Sequence, residues 1–348
     1  MTEGPEMTVL SPKKILIIKP SSLGDIVHSL PVLDVLHRCF PRAAIHWLVA
    51  KGLEGILEGN PMLKKVWVIH KDEWKKITKF YSTVAELRKL FRSLKAEQFD
   101  YAIDLQGLFR SGLITKATGA PMRIGFEEAR EGSTVFYTHK VEGGRESHAV
   151  DRYLKIAAFL GCDISEVKFP FPTSFNPPFV TPYLPPIEDY IVMVPGARWP
   201  TKRWPAHRFG ELASLLPVKT LVVGGKGDRM LADEVVERSK GNAISVAGKT
   251  DLMGLVSVIR GAGFMVSNDT GPMHIAAALG IPVFALFGPA NPARTGPYGS
   301  GHTVIRKELL CSPCYKRSCK NALCMDMITV EEVAAVISDF LRRRLISA

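Results

Sequence analysis

Residues 15–18, Ile15-Leu16-Ile17-Ile18, run directly into Lys19-Pro20-Ser21-Ser22-Leu23-Gly24-Asp25-Ile26-Val27-His28. Four consecutive apolar residues, too few for a helix, read as a strand buried on both faces. Ser21 or Ser22 can then cap a helix, and Gly24 lets another backbone or a ligand approach closely. In open α/β sheets ligands bind beyond the carboxyl ends of strands, so Asp25 stands where chemistry is expected. The position equally suits an ordinary acidic residue in a first helical turn, favoured there by the dipole. The loop carries no G-x-G-x-x-G fingerprint and no Walker A sequence occurs in the chain, which counts against NAD enzymes and P-loop NTPases.

The same pattern recurs outward from this unit. Residues 45–49, 66–69 and 101–105 are short apolar runs, and a second series follows at 190–194, 221–223, 264–267 and 283–287. Such runs, separated by helix-length segments, predict parallel sheets covered on both faces. Two series predict two doubly wound domains, as do 348 residues at roughly 150 per domain. Between them Pro170, Pro172, Pro177, Pro178, Pro182, Pro185 and Pro186 exclude helix and sheet and read as a semi-rigid linker. The expected limits are 1–172 for the first domain, 173–187 for the linker, 188–327 for the second domain and 328–348 for a final helix. Thr329-Val330-Glu331-Glu332 is a capping box for that helix, Val333, Ile337, Phe340 and Leu341 form its apolar stripe, and it is expected to pack back on the first domain.

The second series offers an anion cradle. Asn268-Asp269-Thr270-Gly271-Pro272-Met273-His274 follows a strand, with Asp269 or Thr270 as cap and Pro272 near the helix start. Such a start presents N–H groups and a hydroxyl to a phosphate. His274 falls in the first turn, either as a packed residue or beside the anion. Upstream, Pro195-Gly196-Ala197-Arg198-Trp199-Pro200-Thr201-Lys202-Arg203-Trp204-Pro205 places three cations beside two tryptophans. Lys202 would meet a pyrophosphate as a point charge and Arg198 or Arg203 as forks, unless the loop is merely solvated. Gly224-Gly225-Lys226-Gly227-Asp228 is a third glycine-rich turn, weak on its own.

Charge and cysteines narrow the class. The net charge of +11 suits an anionic partner. Much of it lies in Lys64, Lys65, Lys71, Lys75, Lys76, Lys79, Arg88, Lys89, Arg92 and Lys95, against Asp72, Glu73 and Glu86. Ile77, Tyr81, Val84, Leu87, Phe91 and Leu94 recur there at helical spacing, with Trp67 and Trp74 just upstream. A basic amphipathic helix suits an anionic lipid surface or a phosphorylated lipid acceptor; it also suits a solvated helix covering its own domain. No nucleic-acid-binding motif accompanies the charge. No apolar run approaches the ~18 residues of a membrane span, and Glu3 and Glu6 argue against a secretory signal. Six cysteines in so long a chain are no disulfide scaffold, so a reducing cytosol is expected. Cys311, Cys314, Cys319 and Cys324, spaced C-x2-C-x4-C-x4-C, could ligate zinc or an iron–sulfur cluster, form local disulfides or stay free; a structural clip or free thiols is the expectation, with no catalytic metal. Cys39 and Cys162 read as isolated small apolar residues.

Taken in order, Ser21-Ser22-Leu23-Gly24-Asp25, Asp104-Leu105-Gln106-Gly107, Lys202-Arg203-Trp204-Pro205, Asp269-Thr270-Gly271-Pro272-Met273-His274, Gly280-Ile281-Pro282 and Leu286-Phe287-Gly288-Pro289 resemble the lipopolysaccharide heptosyltransferase family, from about residue 14 to 345. The resemblance implies a GT-B fold, two Rossmann-like doubly wound parallel-sheet domains facing a cleft, acceptor on the first and nucleotide sugar on the second. It implies inverting transfer of L-glycero-D-manno-heptose from ADP-heptose to the Kdo-bearing inner core of lipid A, by a cytoplasmic enzyme peripheral to the inner membrane. The family's base matches Asp25, its donor-binding lysine Lys202, its phosphate-binding stretch Asp269, Thr270 and Gly271, and its acceptor stretch Ala129-Arg130-Glu131. Arg198 and His274 complete the candidate donor site. Ser22, Gly24, Gln106 and Arg130, with Lys75 and Lys76, make up the candidate acceptor site. The cysteine cluster departs from the family pattern.

The chemistry agrees. Inverting transfer needs one base on the acceptor hydroxyl, opposite a leaving group whose charge is offset. Lys19 or Arg130 would hold Asp25 ionised. The chain contains no Asp-x-Asp, which favours metal-independent phosphate stabilisation and no required cofactor, with loosely held Mg2+ the remaining option. The alternatives are another nucleotide sugar or acceptor on the same fold, or a non-catalytic basic protein binding membrane or nucleic acid.

Overall fold

The opening stretch forms β1 (Lys14–Ile18), with Ile15 through Ile18 fully buried, followed by α1 (Leu23–Cys39). The computed structural model describes residues 11–71, 74, 80–172 and 189–347. The chain divides into two units, Met1–Ser174 and Phe175–Ala348.

In the first unit β2 (Ala44–Ala50), β3 (Lys65–Ile69), α2 (Phe80–Ala96), β4 (Tyr101–Asp104), α3 (Phe109–Ala117), β5 (Met122–Phe126), β6 (His139–Val141) and α4 (Ala149–Phe159) follow α1. The strands pair in parallel as β3-β2-β1-β4-β5-β6. The order reverses between β1 and β4, so the loops after these two strands open side by side. β5 and β6 escape the apolar-run pattern because they are short and broken by small or charged residues. Gly125 in β5 makes room for an aromatic ring, since a Cβ there would meet Tyr137 at 2.3 Å.

The second unit repeats the plan. Its elements are β7 (Tyr190–Val194), α5 (Ala206–Leu215), β8 (Lys219–Val222), α6 (Arg229–Arg238), β9 (Ala243–Ser245), α7 (Leu252–Arg260), β10 (Met265–Asn268), α8 (Gly271–Ala278), β11 (Val283–Phe287), α9 (Pro292–Thr295), β12 (Thr303–Arg306), α10 (Leu323–Asp326) and α11 (Val330–Ser347). The parallel order β12-β11-β10-β7-β8-β9 reverses between β10 and β7. Each unit therefore has a switch point where two loops meet, and the sequence's strongest motifs fall on those loops.

Several expectations meet a different outcome. The stripe of α11 was expected on the first domain; Val333 and Ile337 are fully buried in the second unit's core, and Phe340 meets the rings of Phe264 and Phe284. Thr329 does cap the helix, accepting the Glu332 N–H on its Oγ1 at 3.2 Å, but the Glu332 carboxylate pairs with Lys307 at 2.6 Å, and no bond back to the cap N–H is seen among the described residues. Cys39 and Cys162 are not isolated but disulfide-bonded, with Cα atoms 5.5 Å apart, tying the end of α1 to the residues after α4. Local sequence holds no sign of it, because 123 residues separate the pair.

On α2, Leu94 is buried and Leu90 and Phe91 pack on the first unit's core, while Arg88, Lys89, Arg92 and Lys95 are exposed. Trp67 and Trp74 pack against that same core. Trp67 Nε1 donates to His46 Nδ1 at 3.1 Å, and the Lys65 ammonium lies 3.6 Å above the Trp67 ring. Lys75, Lys76 and the linker 173–187 lie outside the described residues.

Candidate active site

Asp25 is the third residue of α1 and is half-buried. Ser22 caps this helix, and its N–H and hydroxyl both donate to one carboxylate oxygen of Asp25, at 2.9 and 2.6 Å. The loop is anchored from the neighbouring strand, where Gln106 Oε1 accepts the Ser21 N–H at 3.2 Å. Gln106 is held in turn by Asp104, the last residue of β4, which is fully buried. Asp104 accepts the N–H groups of Gln106 and Gly107 at 2.8 and 3.0 Å and the Tyr137 hydroxyl at 2.7 Å. Burial pushes the Asp104 carboxyl above its ordinary range, against the pull of those donors. It also raises the Tyr137 hydroxyl, with the Asp104 charge adding to the effect.

The Ala129-Arg130-Glu131 stretch joins the same corner. The Arg130 N–H donates to Gly107 O at 2.8 Å, and Glu131 Oε2 accepts the Phe109 N–H at 3.2 Å. Gly107 has φ +66°, and a Cβ there would stand 3.2 Å from that of Ala129, so glycine serves both the turn and the approach. Arg130 is exposed beside this turn, and Gly24 is buried in the helix start. The structure thus brings Ser22, Gly24, Asp25 and Gln106 to the two loops of the first switch point, and joins Arg130, on the loop after β5, to them through Gly107.

Beneath them lies Lys19, only 2% exposed. Its ammonium donates to Leu105 O at 3.0 Å and to the Tyr153 hydroxyl at 2.7 Å.

At the second switch point Lys202 and Asp269 form an ion pair. The Lys202 ammonium also lies 4.9 Å above the Trp199 ring. Asn268 locks the two loops together, its Nδ2 donating to Pro195 O at 2.9 Å and its Oδ1 accepting the Trp204 N–H at 3.0 Å. Thr270 caps α8, Gly271 is its first residue and His274 is buried on it. A carboxylate has no proton to give a phosphate, so Asp269 serves the cradle by holding Lys202. A lysine held in this way beside a helix start suits an anion. Arg198 is exposed on this loop, while Arg203 Nε is spent on Ala197 O at 2.8 Å. The third glycine-rich turn closes on itself, with Asp228 accepting the Gly225 N–H at 2.9 Å. Asp228 packs where a Cβ on Gly196 would stand 2.6 Å away.

The first unit thus carries a half-buried carboxylate in the first turn of α1, and the second a lysine paired with a carboxylate beside the start of α8. The sequence description of glycosyltransferase family 9 (heptosyltransferase) matches residues 87–324. The chain belongs to this family. Among its relatives is lipopolysaccharide heptosyltransferase 1 of Escherichia coli K12, 31% identical over 300 residues, covering 84% of this chain and 93% of the relative. The enzyme of the same name from Pseudomonas aeruginosa is 30% identical over 319 residues, covering 88% and 87%. The structure of E. coli heptosyltransferase WaaC with ADP superposes with a TM-score of 0.79 at 25% identity, covering 94% of this chain and 99% of that one. The protein is a glycosyltransferase, and its two doubly wound units are those of the GT-B fold.

In this family-9 glycosyltransferase the cysteine loop adjoins the lysine cradle. Thr201 Oγ1 donates to Lys316 O at 2.8 Å, and the Arg317 guanidinium lies 5.0 Å from the Trp199 ring centre. Cys311, Cys314, Cys319 and Cys324 are free thiols. Burial pushes the Cys324 thiol up, and the other three cysteines add to the shift. Among the described residues no group of three or more His, Cys, Asp or Glu side chains stands ready to hold a metal ion. Sequence reasoning missed Tyr137, Tyr153, Asn268 and Arg317. Their partners lie far along the chain, 134 residues away for Tyr153 and Lys19, so no local signal marks them.

Proposed function

We propose that this glycosyltransferase moves L-glycero-D-manno-heptose from ADP-heptose to the Kdo-bearing inner core of lipid A, inverting the anomeric centre, with Asp25 as general base. The observation that carries the reading is the Asp25 carboxylate, held through one oxygen by Ser22 at the first switch point. The names of the E. coli and P. aeruginosa relatives support the reaction, and WaaC with ADP and with ADP-2-deoxy-2-fluoro heptose supports the donor.

In the proposed step Asp25 takes the proton of an acceptor hydroxyl as its oxygen attacks the anomeric carbon. The bond from that carbon to the diphosphate oxygen breaks, and ADP leaves with the electron pair. Lys202, steered by Asp269, and the start of α8 offset the charge that develops on the diphosphate. Gln106 and Arg130 line the acceptor side.

The exposed cations of α2 would hold the enzyme at an anionic membrane surface, each worth about 1 kcal/mol near the lipid. Because the apolar side of α2 packs on its own unit, this attachment is electrostatic and salt-sensitive. Among the described residues no helix is long and apolar enough to cross a membrane.

The test is transfer from ADP-heptose to a Kdo-lipid A acceptor, with the anomeric configuration of the product read by NMR. A panel of other nucleotide sugars runs beside it. Turnover with a different sugar and none with ADP-heptose would reassign the donor.

A further inference from the structure

Lys202 and Asp269 carry opposite charges, so together they bring no net charge to the loop that holds them. A departing diphosphate gains charge, and offsetting it calls for a cation whose field is not already cancelled. Two nearby arginines are engaged elsewhere: Arg203 Nε donates to Ala197 O, and Arg208 Nη1 to Asp326 O and Ile328 O. Arg317 is different. It is exposed, and among the described residues it takes part in no ion pair. Its guanidinium lies 5.0 Å from the centre of the Trp199 ring, and the Lys202 ammonium lies 4.9 Å from that same centre. The two cations are therefore neighbours about one half-buried indole. Attraction to a ring uses up none of the guanidinium's N–H groups, so its fork stays available to phosphate oxygens.

The backbone explains how a residue 115 positions beyond Lys202 reaches this ring. The N–H groups of Cys314 and Tyr315 both donate to Pro289 O, at 3.0 and 2.8 Å, and Lys316 O accepts the Thr201 hydroxyl at 2.8 Å. Pro289 follows β11 and Thr201 follows β7, the two strands that flank β10. Residues 314–316 thus run from one neighbour of the Asp269 loop to the other, and Arg317 comes next. The base of the loop is packed as closely. Ser312 Oγ donates to Gly288 O at 2.7 Å, and a Cβ on Gly288 would stand 3.0 Å from Cys324 Sγ.

We propose that Arg317 is a diphosphate-binding residue of the donor site, carried to the Trp199 ring by the cysteine-bearing loop and gripping the nucleotide beside Lys202. The proposal rests on the reading of the Lys202 loop as the donor site. Two cations on separate loops match two phosphoryl groups, and an arginine fork adds paired N–H···O bonds to the lysine's point charge. Arg317 then sets the preference of the site for a nucleoside diphosphate over the bare nucleoside.

The test is calorimetric titration of the full-length protein with ADP and with adenosine; GDP and UDP are titrated beside them, and the tightest diphosphate is used with its own nucleoside. Arg317→Ala is expected to weaken the diphosphate by about tenfold while leaving the nucleoside within about twofold, so that the ratio of the two affinities collapses. Arg317→Lys keeps the charge without the fork and should lose less. Unchanged diphosphate affinity in Arg317→Ala would overturn the proposal. So would an equal loss for diphosphate and nucleoside, which would mark Arg317 as a support of the loop only. Lys202→Ala is measured alongside. If it weakens the diphosphate and Arg317→Ala does not, only the role of Arg317 falls. If neither variant changes binding, or wild type binds none of the three diphosphates, the donor-site reading falls with it.

Discussion

Lys202 and Asp269, 67 residues apart, are joined as an ion pair between the loops that follow β7 and β10. The Asp269 side chain is 6% exposed and that of Lys202 19%, so the carboxylate is the buried anchor and the ammonium the end that meets solvent. Lys202→Ala is expected to weaken ADP binding by about tenfold or more in calorimetry, one unit on the scale on which 1.4 kcal/mol is tenfold. Asp269→Asn keeps an acceptor for the lysine and is expected to lose less. Wild-type affinity in Lys202→Ala would remove its phosphate role.

Asp25→Ala removes the proposed base without touching the second unit. Its kcat should fall by about two to four orders of magnitude, the usual contribution of a positioned base. ADP affinity and the circular dichroism spectrum should be unchanged. Residual activity above about a tenth, a barrier increase under ~1.4 kcal/mol, would show that Asp25 is not the base.

Asp104 organises the acceptor corner from inside the fold. Asp104→Leu strands the N–H groups of Gln106 and Gly107 and the Tyr137 hydroxyl, and each unsatisfied buried group costs about 1–3 kcal/mol. A large loss of urea stability is expected. Asp104→Asn keeps an acceptor and should cost less. Burial holds the wild-type carboxyl above its ordinary 3.8, so the folded protein binds that proton more tightly than the unfolded chain. That contribution to stability is present below 3.8 and is lost as the pH rises through the folded value. The stability of wild type relative to Asp104→Asn should therefore decline from pH 4 towards pH 7. A relative gain over that range would refute the assignment.

The Cys39–Cys162 bond is countable. Protein purified without reductant should show four titratable thiols of its six cysteines after denaturation, and six after dithiothreitol. Closing 123 residues in one loop stabilises by up to about 5 kcal/mol in the chain-entropy account, so reduction should lower the melting temperature by several degrees. Six thiols in the untreated protein would mean the pair is reduced as isolated.

Most of the scaffold was readable because its signals are local. A run such as Ile15-Leu16-Ile17-Ile18 declares a buried parallel strand, and the motifs at Asp25 and Asp269 are turn-and-cap chemistry within a few residues. The edge strands β6, β9 and β12 were not readable, since three or four half-buried residues carry no distinctive period. Arg203 shows the limit of the same method: the sequence offered it to a diphosphate, and the fold spends its Nε on a carbonyl six residues away.

The order of residues along the chain by itself determined two doubly wound units, a carboxylate loop on one, a lysine-and-helix-start cradle on the other, and membership of the heptosyltransferase family. Tertiary structure alone decided which partners those groups have. It set Lys19 against Tyr153, Asp104 against Tyr137, Cys39 against Cys162, and α11 onto the second unit's core. The physical reason is that strand and cap preferences act over a few residues. The charge state and aim of a buried side chain depend on groups that only folding brings within hydrogen-bond reach.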